Sequence, residues 1–468
     1  MPHLNNTPSA TRWVAGGIVV KQGMRLFSNL IMTRILTPEA FGLMAIVNLM
    51  LQALNMLSDV GINKSVIRSE REDVVFLQTA WSLQVVRGLL LWLMTLLMAW
   101  PVSQYYDEPL LLFILPCSGT IALFMGLNSI AILQNQKHLK YKKLVIFENV
   151  AALVGLIAMI FFGILYNSVW ALVAGGILST LVMTFFSHNF FKSIKHSFRW
   201  NKEVVHELFH FGKWVFLSTA LTFFVSQYDK LALGKLADMH ALGLYAIAVV
   251  WAGLPTMIVS QLSNKVFYPV VSELYRNGEL VKITDIRNSI VILSVVICIF
   301  MIASGHLLIN VLYEVEYHLA GELVSVLAVL AFFQIIENIN TNLLMTVGRP
   351  KDKIISQIAG ILILVVFLSP LYSSFGMLGI AFLASVSMML RAYILDIQLR
   401  KDKINNLLFD FGMTILLLML GTISYLLIVN FSEYVSDVLL LITGLITMLL
   451  TLIFVFLKQQ TLRNLMNV

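Results

Sequence analysis

The chain has 468 residues, of which 59% are hydrophobic and only 12% charged, with a net charge of +7; its mean hydropathy is +0.86 and its pI near 9.2. A water-soluble domain carries about 25% charged residues, so this composition excludes one. At roughly 20 residues per crossing the chain is filled by twelve to fourteen membrane helices, with no sizeable domain outside the bilayer.

Apolar runs of spanning length occupy residues 12–36, 41–60, 76–102, 109–134, 144–166 and 168–188. A second set follows at 211–236, 241–263, 289–312, 320–347, 354–372 and 376–399, and a final pair at 407–429 and 438–457. The expected fold is therefore an all-α polytopic membrane protein with about fourteen spans. Alternate connections collect the positive charge: Lys64, Arg68 and Arg71; Lys137, Lys140, Lys142 and Lys143; Lys192, Lys195, Arg199 and Lys202; Lys265, Arg276, Lys282 and Arg287; Arg349, Lys351 and Lys353; Arg400, Lys401 and Lys403; then Lys458 and Arg463 in the tail. The opposite connections hold Asp107, Glu108, Glu314, Glu316 and Glu433, with Lys235 their one clear cation. The positive-inside rule then puts both termini in the cytoplasm. The basic charge is spread over short loops and forms no single patch, which removes nucleic acid as a partner.

Arg12-Trp13-Val14 returns 201 residues later as Lys213-Trp214-Val215. At the same offset, the segment from Ala40 to Ile46 matches that from Ala241 to Ile247, and Asn63-Lys64 falls on Asn264-Lys265. An even number of spans separates the copies, so they share one orientation, a parallel repeat. The expected organisation is an N-lobe at 1–188, an amphipathic connection at 189–210, a C-lobe at 211–400, and a helix pair with its tail at 401–468.

A Lys or Arg at a span centre costs about 2.5–3.5 kcal/mol on insertion scales, so such residues mark cavities, partners or substrates. They are Lys21, Arg25, Arg87, Lys230 and Arg391, with Arg34 and Lys213 nearer span ends, where snorkelling accounts for them. Lys21 and Arg25 share a helix face that Ser28 extends, and Glu148, toward the end of its span, is no obvious partner. Gln84 lies one turn from Arg87, and Ser387 one turn from Arg391. The tenth span carries a polar stripe of Gln334, Glu337, Asn338 and Thr341. These stripe residues and Asp229 read equally well as interhelical ties or as cavity and coupling groups. Cations outnumber acids in the spans, so the expectation is a positively lined cavity for an anionic cargo, with phosphate or pyrophosphate suited to Arg and Lys donors.

His206-Glu207-Leu208-Phe209-His210 has the spacing of a helical zinc site, so a membrane metalloprotease is a remote alternative. No further acid is obviously placed as third ligand, and an interfacial amphipathic helix is the preferred reading. No G-x-x-x-x-G-K-[ST] loop appears, which argues against ATP hydrolysis. Cys117 and Cys298 lie in apolar runs and read as small buried hydrophobes. Lys21 and Arg25 interrupt the stretch where a cleaved signal peptide would have its apolar core.

The segments Arg34-Ile-Leu-Thr-Pro-Glu-Ala-Phe-Gly-Leu43 and Ser58-Asp-Val-Gly-Ile-Asn-Lys-Ser-Val-Ile-Arg68 resemble the first spans of bacterial polysaccharide flippases of the Wzx type. The similarity is to their exopolysaccharide branch, which includes the colanic acid exporter. Phe211-Gly-Lys-Trp214, Asp229-Lys-Leu-Ala-Leu-Gly234 and Gly243-Leu-Tyr-Ala-Ile247 fit as well. The resemblance implies membership of the multidrug/oligosaccharidyl-lipid/polysaccharide exporter superfamily, with two six-helix lobes around a central cavity and a last helix pair flanking a groove for a lipid tail. It implies a non-enzymatic exporter in the bacterial inner membrane that turns an undecaprenyl-pyrophosphate-linked oligosaccharide to the outer leaflet by alternating access. Partners would be that lipid-linked oligosaccharide, membrane lipids, and the polymerase and glycosyltransferases of the same pathway. No cofactor is expected; a coupling ion, H+ or Na+, would fall to Glu337 or Asp229. A lipid II flippase and a drug/ion antiporter of the same superfamily are the alternatives. A polymerase or ligase would be expected to show a large external loop, which is missing.

Overall fold

The computed structural model describes residues 7–466 apart from 59–61, 63–65, 67–70, 139, 192–195, 264–266, 403, 405 and 433. Within its helices the side chains of 7–12, 14–15, 206–221, 261–262, 269, 350 and 452–466 lie outside that description. The described regular structure is helical throughout: α1 (Thr7–Met32), α2 (Pro38–Leu57), α3 (Val74–Tyr106), α4 (Leu111–Leu127), α5 (Ala131–Lys137), α6 (Tyr141–Tyr166), α7 (Trp170–Asn189), α8 (Lys202–Leu236), α9 (Met239–Ala252), α10 (Leu254–Leu262), α11 (Tyr268–Arg276), α12 (Leu280–Leu312), α13 (Leu319–Thr346), α14 (Lys353–Leu399), α15 (Leu407–Ser432) and α16 (Asp437–Met466). Among the described residues eight helices are long and apolar enough to cross a membrane, or ten when α4 with α5 and α9 with α10 each count as one bent span. The chain is an all-α, multi-pass membrane protein.

Each apolar run falls on a helix or on part of one, and the departures have local causes. The run at 109–134 bends by 62° between α4 and α5, and the run at 241–263 by 45° between α9 and α10. Gly253 and Pro255 sit at the second break, where proline lacks the N–H that would continue the ladder. The runs at 354–372 and 376–399 join as α14, broken at Gly376, whose φ of 56° and ψ of −136° suit glycine alone.

The chain divides into two compact units, Met1–Lys235 and Leu236–Val468. At the end of α8, Gly234 packs on Ile46 and Tyr106 and Lys235 pairs with Asp107 at 3.1 Å. In the first unit α3 packs on α4, α6 on α7, α4 on α7, and α1 on α6. Gly88 and Gly126 set the α3–α4 approach: a Cβ on Gly88 would come within 2.8 Å of the Ala122 carbonyl and 2.9 Å of the Gly126 Cα, the small-residue contact that lets membrane helices touch closely. Opposite this contact α3 turns Leu89, Leu93, Leu97 and Trp100 outward, a stripe suited to lipid. In the second unit α13 is central, packed by α12, α14, α9 and α10. Its core joins Val295, Cys298, Phe332, Ile336, Ile339, Ala392 and Leu395. Cys298 is buried there, Cys117 is half-buried in the first unit, and both are free thiols.

Gly88→Leu inserts a side chain where backbone already meets backbone. Overpacking of this kind costs on the order of 1–3 kcal/mol, so the variant is expected to melt at lower temperature than Leu89→Ala, a change on the lipid-facing side. Thermal unfolding of both proteins in one detergent checks the order.

Candidate functional site

In the first unit the cations lie in two settings. Lys21 and Arg25 are exposed on α1, inside a segment of apolar and small residues. The helix is seated on α6 by Gly17, where a Cβ would clash with Val145, and by Ser28, whose hydroxyl points to the sulfur of Met159 at 3.9 Å. Glu148 of α6 lies within electrostatic reach of Lys21. It is thus a nearer counter-charge to Lys21 than its place toward the end of the span suggested.

Arg87 is placed differently. Its Nε donates to the Ser58 carbonyl and hydroxyl, both at 3.1 Å, and its Nη2 to the Asn55 carbonyl at 2.9 Å. Ser58 is the residue that ends α2, so the guanidinium caps the negative end of that helix. Gln84, one turn away on α3, donates to the carbonyls of Met125 at 3.1 Å and Asn128 at 3.4 Å, at the α4–α5 break. The Ser129 amide donates to the Ser187 hydroxyl at 2.9 Å, and the Ile130 amide to Nε2 of His196 at 3.3 Å. That bond needs a neutral imidazole, and burial first, then the nearby His188, hold His196 below the ordinary histidine value. Backbone groups freed at membrane depth must find partners inside the protein; these side chains supply them. Asn55, Gln84, Arg87, Asn128, Ser129 and Gln136 line a polar cavity of about 190 Å3 beside the break. Lys230 on α8 donates to Oε1 of Gln227 at 2.8 Å, one turn earlier, and the neighbouring Asp229 is half-buried.

In the second unit the candidate charges answer one another. Arg391 is buried and its Nη2 donates to Glu337 at 2.8 Å; Lys353 reaches the same oxygen at 3.2 Å. Gly360 makes room for the Arg391 stem, since a Cβ there would lie 2.5 Å from its Cδ. Arg391 is therefore an ion-pair partner between α13 and α14, where the sequence suggested a cavity cation. Along the expected stripe Gln334 and Asn338 are half-buried and Thr341 is buried; Oδ1 of Asn338 and Oγ1 of Thr341 have no hydrogen-bond partner among the described residues.

A second network escaped the sequence reading. Arg287, expected in a loop, is fully buried inside α12. Its Nη1 meets Asp410 Oδ1 at 2.9 Å, its Nη2 meets Asp410 Oδ2 at 2.5 Å and Asp396 Oδ1 at 3.5 Å, and both its Nε and Nη2 reach Asn340. Both Asp side chains are fully buried. The Asn406 amide donates to Asp396 at 3.2 Å. This bidentate fork ties α12, α13, α14 and α15 together. The available signal was Asp396 and Asp410 standing at the ends of apolar runs, which predicts a buried cation between them. Arg287, Lys353 and Arg391 face Glu337, Asp396 and Asp410, so three cations meet three acids. The excess of positive charge expected of the whole bundle falls instead on the first unit, on the exposed face of α1.

His206, Glu207 and His210 lie outside the described side chains, as does Lys213. Among the described residues no group of three His, Cys, Asp or Glu is arranged to hold a metal ion.

A profile of the polysaccharide biosynthesis protein family matches residues 31–322. The chain belongs to that family. The match covers the segments at 34–43 and 58–68 that carry the resemblance. Family relatives include the lipopolysaccharide biosynthesis protein WzxC of Escherichia coli, 21% identical over 59% of this chain and 56% of that protein. Another is a membrane protein of the cps region of Klebsiella pneumoniae, 20% identical over 59% of this chain and 58% of that protein. The matched segment thus spans less than two thirds of either relative. Among solved structures the lipid II flippase MurJ, in an inward closed conformation, aligns with a TM-score of 0.70 at 14% identity. That alignment covers 97% of this chain and 99% of that one, a likeness of fold.

Removing one partner from a buried ion pair costs on the order of 3–5 kcal/mol, because the other charge stays behind. Asp410→Ala should therefore lower the melting temperature markedly. The triple replacement Arg287→Met, Asp396→Asn, Asp410→Leu should recover most of that loss, which thermal unfolding in detergent will report.

Proposed function

We propose that this chain moves an undecaprenyl-pyrophosphate-linked oligosaccharide from the cytoplasmic to the outer leaflet of the bacterial inner membrane. Family membership supports a role in polysaccharide biosynthesis, and a fold shared with a lipid II flippase supports a carrier working by alternating access. The observation that carries the reading is the pair Lys21 and Arg25, side by side and exposed on α1. A pyrophosphate is a compact anion with several acceptor oxygens, and two cations one helical turn apart suit it. Arg87 and the amides around the 190 Å3 cavity suit sugar hydroxyls. Arg391 is left out of the binding set, because Glu337 holds it. Lys230, Asp229, Gln334, Asn338 and Thr341 remain candidate lining groups.

In this reading both termini are cytoplasmic, the chain crosses the membrane fourteen times, and no cofactor takes part. The polymerase and glycosyltransferases of the pathway are its working partners. The chain acts as a carrier and makes or breaks no covalent bond.

Lys21→Ala and Arg25→Ala should each cut surface polymer at least tenfold in a deletion host, with unchanged protein in the membrane fraction. The lipid-linked oligosaccharide should accumulate on the cytoplasmic face. Mass spectrometry of that lipid identifies the cargo: a sugar repeat supports the proposal, and accumulated lipid II replaces it with the peptidoglycan reading. Normal polymer in both variants refutes the assignment of α1.

A further inference from the structure

His306 lies toward the Leu312 end of α12, outside both charge networks. Its Nδ1 and Nε2 are buried, and neither has a hydrogen-bond partner among the described residues. A neutral imidazole carries one N–H donor and one acceptor, and burying both unpaired is costly and calls for a reason. The ring packs edge-on against Tyr425 of α15, with centroids 5.4 Å apart. Gly321 of α13 presses on the same residue, since a Cβ there would come within 2.6 Å of the His306 Cα. Glu322 comes next, in the first turn of α13, and Asp437 opens α16. Among the described residues these two carboxylates are the charged groups acting on the ring, and Tyr425 is the other titratable group against it. Glu322 is exposed and lies, with Ser325, Thr422 and Tyr425, in the wall of an otherwise largely apolar cavity of about 640 Å3.

We infer that His306 is a proton-binding site, loaded through Glu322, and that proton binding there couples to transport; this coupling rests on the carrier reading. The lone pair of the unprotonated ring nitrogen takes a proton that the Glu322 carboxylic acid gives up through a bridging water. An N–H bond forms as an O–H bond breaks, and an imidazolium is left beside two carboxylates. The new attraction draws together the ends of α12, α13 and α16, a contact that the neutral ring lacks. Release of the proton undoes it, so the site has two states that a proton gradient can bias. Glu337, a coupling candidate from the sequence, already faces two cations and is poorly placed for this task.

The test is nitrogen-15 NMR of the full chain in nanodiscs with labelled histidine, the His306 signal being assigned by its loss in His306→Gln. The ring should pass from neutral to doubly protonated between about pH 5 and 8, and Glu322→Gln should move that midpoint. A ring that stays in one neutral tautomer across the range overturns the site. Coupling is read separately, as surface polymer in the deletion host: His306→Gln and the permanently charged His306→Arg should both lose tenfold or more at equal protein level. Full export in His306→Gln overturns the coupling while leaving the carrier reading intact. If deletion of the whole chain leaves polymer unchanged, the carrier reading falls and with it the coupling, whereas the NMR titration still decides the proton site.

Discussion

A charge placed among hydrocarbon needs an opposite charge, a helix end or water, and this requirement organises the protein. In the second unit it is met internally. Arg287 forks onto Asp410 and reaches Asp396, and Glu337 receives Arg391 and Lys353. These contacts cross between helices, so the charges act as fasteners for the α12–α15 core. In the first unit Arg87 answers the negative end of α2. Glu148 lies within electrostatic reach of Lys21, and both Lys21 and Arg25 are exposed. Two cations on a membrane helix would be expensive to keep unless an anion visits them. That imbalance is the physical basis for reading the chain as a carrier of an anionic lipid headgroup.

The broken helices belong to the same logic. Breaks between α4 and α5 and between α9 and α10 release backbone groups within apolar runs, and irregular backbone in such a run is tolerated where protein or a cavity satisfies it. Gln84, Ser187 and His196 do this for the first break. Of these only Gln84 also lines the polar cavity beside that break, where it joins Asn55, Arg87, Asn128 and Ser129. Close contact at Gly88 and Gly126 fixes the α3–α4 register that brings Gln84 to the carbonyls of Met125 and Asn128.

Much of the fold could be read from the chain, because hydropathy and the alternation of basic loops report one physical property, transfer into lipid. The apolar runs fall on helices, two of them joined in α14 and two bent across a break. The breaks were less legible: Pro255 was a signal for one, whereas the first depends on Asn128 and Ser129 finding partners far away in sequence. Arg287 was misplaced in a loop because it stands near Lys282 at the edge of an apolar run, and only the packing of α12 against α15 brings Asp410 to it. Arg391 stood out as a buried cation, but its partner Glu337 was assigned to a separate polar stripe. Spacing along one helix gives no register between helices. That Lys21 and Arg25 share one helix was legible because their relation is local, one turn on α1.

The central claim is that α1 recognises pyrophosphate. It is tested most directly by binding to the full chain in nanodiscs, comparing a short-chain polyprenyl pyrophosphate with the alcohol of the same chain length. The wild type should prefer the pyrophosphate by tenfold or more, a difference of about 1.4 kcal/mol or greater. In the double variant Lys21→Ala, Arg25→Ala that preference should vanish while the alcohol binds as before. An unchanged preference in the double variant would contradict the account.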